Sequence, residues 1–202
     1  LAEKRETSGP AERTGDATRE TLFAGQLLAT RTPIGTEAAL TAAKGGSVKA
    51  FYQRWYRPAN TVISVVGDMD PALLAAEVEK WFADWKGKGA ATPAPPFGDP
   101  VAPAGADPAN PVGETAVLVE PDLPRSFTYA VLRPWRPVDD TIAYNQGVLR
   151  DTLAQALINR RLEARARAGG SYLYAQVQQD KISRSADATF VSFAPLTSDW
   201  RA

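Results

Sequence analysis

Histidine and cysteine are both absent from the sequence. Without cysteine there is no disulfide, no thiolate nucleophile and no sulfur ligand for a metal. Without histidine the chain lacks the commonest general base and the commonest zinc ligand. A Ser–His–Asp triad is excluded. Catalysis by these residues alone would fall to carboxylates, lysine, arginine or tyrosine. An excess of charge of either sign is missing too, because Lys+Arg and Asp+Glu each number 23. A neutral chain offers no global field for nucleic acid or an anionic membrane, and neither is expected as a partner. No run approaches the ~18 uncharged apolar residues of a membrane span.

What is present is ordinary for a globular protein: 202 residues, 44% hydrophobic and 23% charged. That length suits one large domain or two small ones. Leu1–Glu6, "LAEKRE", are all good helix formers with no capping residue before them. "TLFAGQLLATRTPIGTE" is apolar and turn-rich, and Pro33 and Gly35 exclude a long helix there. "SVKAFYQRWY" predicts a helix that Ser47 can cap, with Val48, Phe51 and Trp55 at helical spacing. "TVISVV" is β-branched and apolar throughout, the pattern of a strand covered on both faces. "DPALLAAEVEKWFADW" predicts a helix capped by Asp70, with Pro71 at its first position. Its apolar stripe is Leu74, Val78, Trp81, Phe82 and Trp85.

Composition changes after Trp85. Residues 87–113 hold seven of the 16 prolines and are otherwise largely Ala and Gly. Such a stretch builds no core and runs semi-extended, spanning on the order of 80 Å at most. It reads as a tether between two lobes, 1–86 and 114–202. Beyond it, "TAVLVE" and "SFTYAVLR" predict strands. A long helix follows, capped near Asp139, with Leu149, Leu153 and Leu157 as its buried face and Gly169–Gly170 as its stop. "YLYAQVQ" and "ADATFVSFA" predict two more strands. The class is α/β (α+β), with helices on a mainly antiparallel sheet in each lobe.

The string "FYQRWYRPANTVISVVGDMDP", with "RTPIGTE" upstream, resembles the M16 (pitrilysin/insulinase) family of zinc metallopeptidases. "LINRRLEARARAGGSYLYAQV" resembles the helix–turn–strand of that family's second repeat. The resemblance implies the end of one α/β repeat, a linker, and the beginning of the next. It implies a parent that closes around a peptide substrate. It also implies a chain that begins inside a domain. The family's metal motif is H-x-x-E-H with a third ligand, a glutamate, downstream. "LAEKRE" matches the phrase around that glutamate and puts Glu3 at the ligand position, with Glu6, one turn on, as the other register. Glu3 taken by itself reads as a solvated helix charge. With no histidine, the chain alone is expected to bind no zinc and to be inactive; zinc belongs to an intact parent carrying the motif.

The same resemblance gives Arg165 and Tyr172 the role of a pair that reaches the substrate carbonyl region, where both can donate to developing oxyanion charge. Tyr174 replaces Tyr172 if the turn shifts by two residues. The plain reading of Arg160, Arg161, Arg165 and Arg167 is a set of cations favoured at a helix C-terminus, and of Tyr172 a packed strand residue. The partners implied are the rest of the parent chain or a second M16 subunit. A non-catalytic, peptide-binding M16-like subunit is the competing function. Periplasmic residence is implied by resemblance alone.

Overall fold

The computed structural model describes residues 2–6, 9–102 and 115–197. The chain divides into two compact units, Gly35–Pro96 and the combination of Ala2–Ile34 with Phe97–Ala202. No helix among the described residues is long and apolar enough to cross a membrane.

The smaller unit, Gly35–Pro96, is helical. Helix α4 spans Glu37–Ala42, with Thr36 Oγ1 accepting from the Ala39 amide at 3.1 Å. Helix α5 spans Gly45–Trp55. Ser47 does cap it, but from inside the first turn: its hydroxyl accepts from Lys44 N at 2.9 Å and donates to Lys44 O at 2.7 Å. A 3-10 turn at Pro58–Asn60 follows. Helix α6 spans Pro71–Phe82, and Asp70 Oδ1 accepts from the Ala72 amide at 2.7 Å, the cap the sequence predicts.

Between those helices Thr61–Val66 is not a strand. Strand geometry persists only where a neighbour takes the backbone hydrogen bonds. No segment beside it does so among the described residues, and Val62 and Val66 are each 94% exposed. With no sheet in this unit, the α6 stripe is not buried on one. Leu74, Val78 and Trp85 are half-buried, whereas Trp81 and Phe82 are exposed.

One buried cation organises the turn after α5. Arg57 is 8% exposed, and its guanidinium donates to the carbonyls of Lys88, Gly89 and Ala90 at 2.7–3.1 Å. Gly87 makes this possible, since a Cβ there would lie 2.6 Å from Arg57 Nε. The tether's first residues are therefore fastened locally. Residues 87–102 contain no helix or strand, and 103–113 lie outside the described residues.

The larger unit contains helices α1 (Ala2–Glu6), α2 (Pro10–Leu22) and α3 (Leu27–Thr30), strand β1 (Phe127–Pro134), helix α7 (Ile142–Arg167), and strands β2 (Tyr172–Ile182) and β3 (Ala186–Pro195). The three strands form an antiparallel sheet in the order β1-β3-β2. Central β3 is the most buried, with Ala186, Ala188 and Ala194 at its core. Phe127 and Phe193, paired in register, stack with ring centroids 4.9 Å apart. The β2–β3 hairpin turns through the three residues 183–185, with Ser183 and Arg184 both at positive φ and the Ser185 amide donating to Ile182 O at 2.7 Å. Phe23, Ala29 and Ala186 form a small core, with Leu22, Leu28, Leu132 and Ile182 packed against it. The α+β class with helices on an antiparallel sheet is realised in this unit.

Two expectations fail here. Thr115–Glu120 is not a strand and pairs with no strand among the described residues. Its last residue is held instead by a two-armed ion pair, Arg13 to Glu120, at 2.8 and 2.7 Å. The leucine face of α7 is the second. Leu149, Leu153 and Leu157 are 58%, 55% and 61% exposed, because the helix turns a different, amide-bearing face to the sheet.

Candidate functional site

Helix α7 starts at Thr141, whose Oγ1 accepts from the Tyr144 amide at 3.2 Å, two residues beyond the expected cap. It ends where Gly169, at φ +88°, reverses the chain and the Gly170 amide donates to Arg165 O at 3.0 Å. This sharp corner delivers the chain into β2 at Tyr172. The Tyr172 hydroxyl then donates back to Leu162 O at 2.9 Å. Leu162 and Arg165 are three residues apart, hence neighbours on the helix surface. The corner thus seats Tyr172 against the last turns of α7, the stretch that also carries Arg165.

The two side chains differ in freedom. Arg165 is exposed and forms no ion pair among the described residues, whereas Arg167 pairs with Glu163. Tyr172 is half-buried, and its donor proton is committed to a carbonyl of its own unit. Tyr174, the other register, is exposed at the same strand end, where the β2–β3 pairing shifts between Tyr172 and Tyr174. Chemically the corner offers a free guanidinium and two phenols.

Sequence reasoning missed the residues that hold this corner. Asn159 Oδ1 accepts from Val177 N at 2.7 Å, while its Nδ2 donates to Val177 O at 2.9 Å. One turn earlier, Gln155 Oε1 accepts from the Gln179 amide at 3.2 Å. These amides satisfy the outer edge of β2, which pairs with β3 on its other side. Farther along, Lys181 donates to the Tyr144 hydroxyl, and this hydrogen bond raises the lysine pKa above its ordinary value. The i, i+4 spacing of Gln155 and Asn159 was the available signal.

Glu3 lies exposed on the short helix α1, as does Glu6. No group of three or more Asp or Glu side chains gathers as a metal site among the described residues, and the chain has no His or Cys to add. Tetrahedral zinc wants three protein ligands and an open position. The residues present do not fit that ion by themselves.

The family model described as the peptidase M16 inactive domain matches residues 44–198. The protein YhjJ of Escherichia coli strain K12 is 29% identical over 112 residues, which is 54% of this chain and 20% of YhjJ. An uncharacterized zinc protease of Bacillus subtilis, YmxG, is 37% identical over 59 residues, 29% of this chain and 14% of that protein. The crystal structure of the first half of the periplasmic protease PqqL from Escherichia coli superposes with a TM-score of 0.66 at 21% identity, over 96% of this chain and 40% of that one. At that identity the likeness concerns the fold. The chain spans a fifth or less of the length of these two curated relatives.

Proposed function

Because the chain belongs to the peptidase M16 inactive-domain family, we propose that it is a fragment of a zinc-dependent M16 endopeptidase that hydrolyses peptides in a closed chamber, inactive as an isolated chain. The family match over residues 44–198 carries this reading. Sequence ancestry follows two repeats, with 1–86 from the end of the first, 87–113 as the linker and 114–202 from the start of the second. The chain supplies Glu3 as the third zinc ligand, completed by an H-x-x-E-H motif elsewhere in the parent. It also supplies Arg165 and Tyr172, which bind the substrate carbonyl region. The exposed guanidinium of Arg165 supports that assignment; Tyr172 must exchange its Leu162 carbonyl for substrate when it acts. Its partners are the peptide and the remaining parent chain, and the periplasmic setting is that of PqqL.

A second reading is favoured by one observation, the complete absence of histidine. It makes the chain part of an M16-like subunit that binds peptide, or pairs with an active subunit, without holding zinc. The intact parent separates the two. Under the first reading it cleaves a fluorogenic peptide, loses activity to a chelator, and loses zinc stoichiometry when Glu3→Gln is introduced. A parent with zinc content unaffected by Glu3→Gln removes the ligand assignment. A parent with neither zinc nor turnover, but saturable peptide binding, establishes the second reading.

A further inference from the structure

The chain leaves the larger unit after Ile34 and returns to it at Phe97. The returning chain is met by the residues that lead to the departure. The Leu27 amide donates to Phe97 O at 3.3 Å. Gln26 Nε2 donates to Gly98 O at 2.8 Å and to Ser185 O, in the β2–β3 turn, also at 2.8 Å. Asp99 then receives both arms of Arg136 at 2.6 and 2.7 Å. One amide therefore joins three stretches of chain: outgoing, returning and hairpin.

The chemistry of that junction is specific. Gln26 is only 4% exposed, and both its amide protons are spent on carbonyls. The flipped amide would set oxygen against two carbonyl oxygens, so its orientation is fixed by repulsion as well as attraction. Gly98 sits at φ +84°, a conformation most side chains disfavour, with its Cα facing Gln26. The Phe23–Ala29–Ala186 core lies among the same stretches.

We propose that Gln26 is the pin of a clasp that closes the larger unit across the base of an inserted module, Gly35–Pro96. With the outgoing and returning chains held together, the larger unit keeps its own fold when the module unfolds locally. Closing a loop of about sixty residues has an entropic cost that grows only logarithmically with length, so a few well-placed hydrogen bonds suffice to hold its ends. The clasp is independent of the zinc and substrate assignments above.

Hydrogen exchange on the full chain, read by peptide, tests this. Gln26→Leu keeps the volume and removes both hydrogen bonds. It is expected to speed exchange in the peptides covering 26–31, whose Leu27 amide donates to Phe97 O, and 183–188 by about tenfold or more, while α5 and α6 of the module exchange as in the parent sequence. Unchanged exchange at 26–31 would overturn the clasp. Equal acceleration in α5 and α6 would show that the two units open as one and would overturn the module. Should Gln26→Leu fail to fold, Asp99→Asn loosens only the exposed arm, with faster exchange expected at 26–31 and the same two results counting against the proposal.

Discussion

Arg57 shows how a single residue escapes pattern reading. In "RWYRPAN" it looks like one more surface cation, yet it is buried against three backbone carbonyls. A guanidinium suits this task because it is planar, weakly hydrated and forked. Lysine offers a point charge that cannot span Lys88, Gly89 and Ala90. Arg57→Lys is predicted to cost about 1–2 kcal/mol and Arg57→Ala about 2–4 kcal/mol, given the ~1.5–3 kcal/mol typical of hydrogen bonds to charged groups. Urea midpoints followed by tryptophan fluorescence would measure both, and an Arg57→Ala protein as stable as its parent would mean the carbonyls are equally content with water. Tyr172 carries two separable predictions. In this chain Tyr172→Phe removes one half-buried hydrogen bond to Leu162 O and should cost about 1 kcal/mol. In an active parent, loss of an oxyanion donor should lower turnover roughly 100- to 1000-fold. Normal turnover with a 1 kcal/mol stability loss would leave the phenol a purely structural group.

Helix α7 and its strand define the element scale. The long helix, its Gly169 stop and the three strands β1, β2 and β3 were all legible, because each carries its own period and its own terminators. Which face of the helix meets the sheet was not legible. Leu149, Leu153 and Leu157 make the obvious stripe, but the face turned inward is built from Gln155, Asn159 and Leu162. The reason is that the helix lies along the free edge of β2, where backbone groups need partners more than side chains need apolar cover. Apolar periodicity is blind to that demand. Two substitutions tell the faces apart. Leu153→Lys should fall within about 0.5 kcal/mol of the parent, the range of surface changes. Asn159→Ala should cost about 2–3 kcal/mol, since it leaves both the N–H and the C=O of Val177 unpaired. The reverse order would restore the leucine stripe as core. "TVISVV" and "TAVLVE" failed for a related reason. Their composition is that of strands, but pairing is a property of two segments, and neither has a partner among the described residues.

At the scale of the whole molecule, the larger unit draws together residues that are far apart in sequence, and charge does part of that work. Arg13 reaches Glu120 and Arg136 reaches Asp99, each through two hydrogen bonds. The hydrogen bond from Arg13 holds the Glu120 carboxyl below its ordinary pKa, and that from Arg136 does the same for Asp99. A carboxylate with a depressed folded-state pKa binds protons more readily when unfolded. Its stabilising contribution is present in full above the unfolded value and is lost as pH falls through the folded one. Stability should therefore be flat near neutrality and decline as pH drops below about 4, the ordinary carboxylate range. Arg13, Arg136 and Asp99 are at least half exposed, with Glu120 more covered at 19%, so each contribution is small and screened by salt. The double variant Glu120→Gln, Asp99→Asn should show a shallower acid limb than the parent in urea titrations from pH 7 to pH 2. Raising the salt concentration should bring the two limbs together. Identical limbs at low salt would mean that other carboxylates govern acid unfolding and that Arg13 and Arg136 hold their partners without measurable linkage. A limb that flattens in Asp99→Asn but not in Glu120→Gln would locate the acid-sensitive tie at the returning chain.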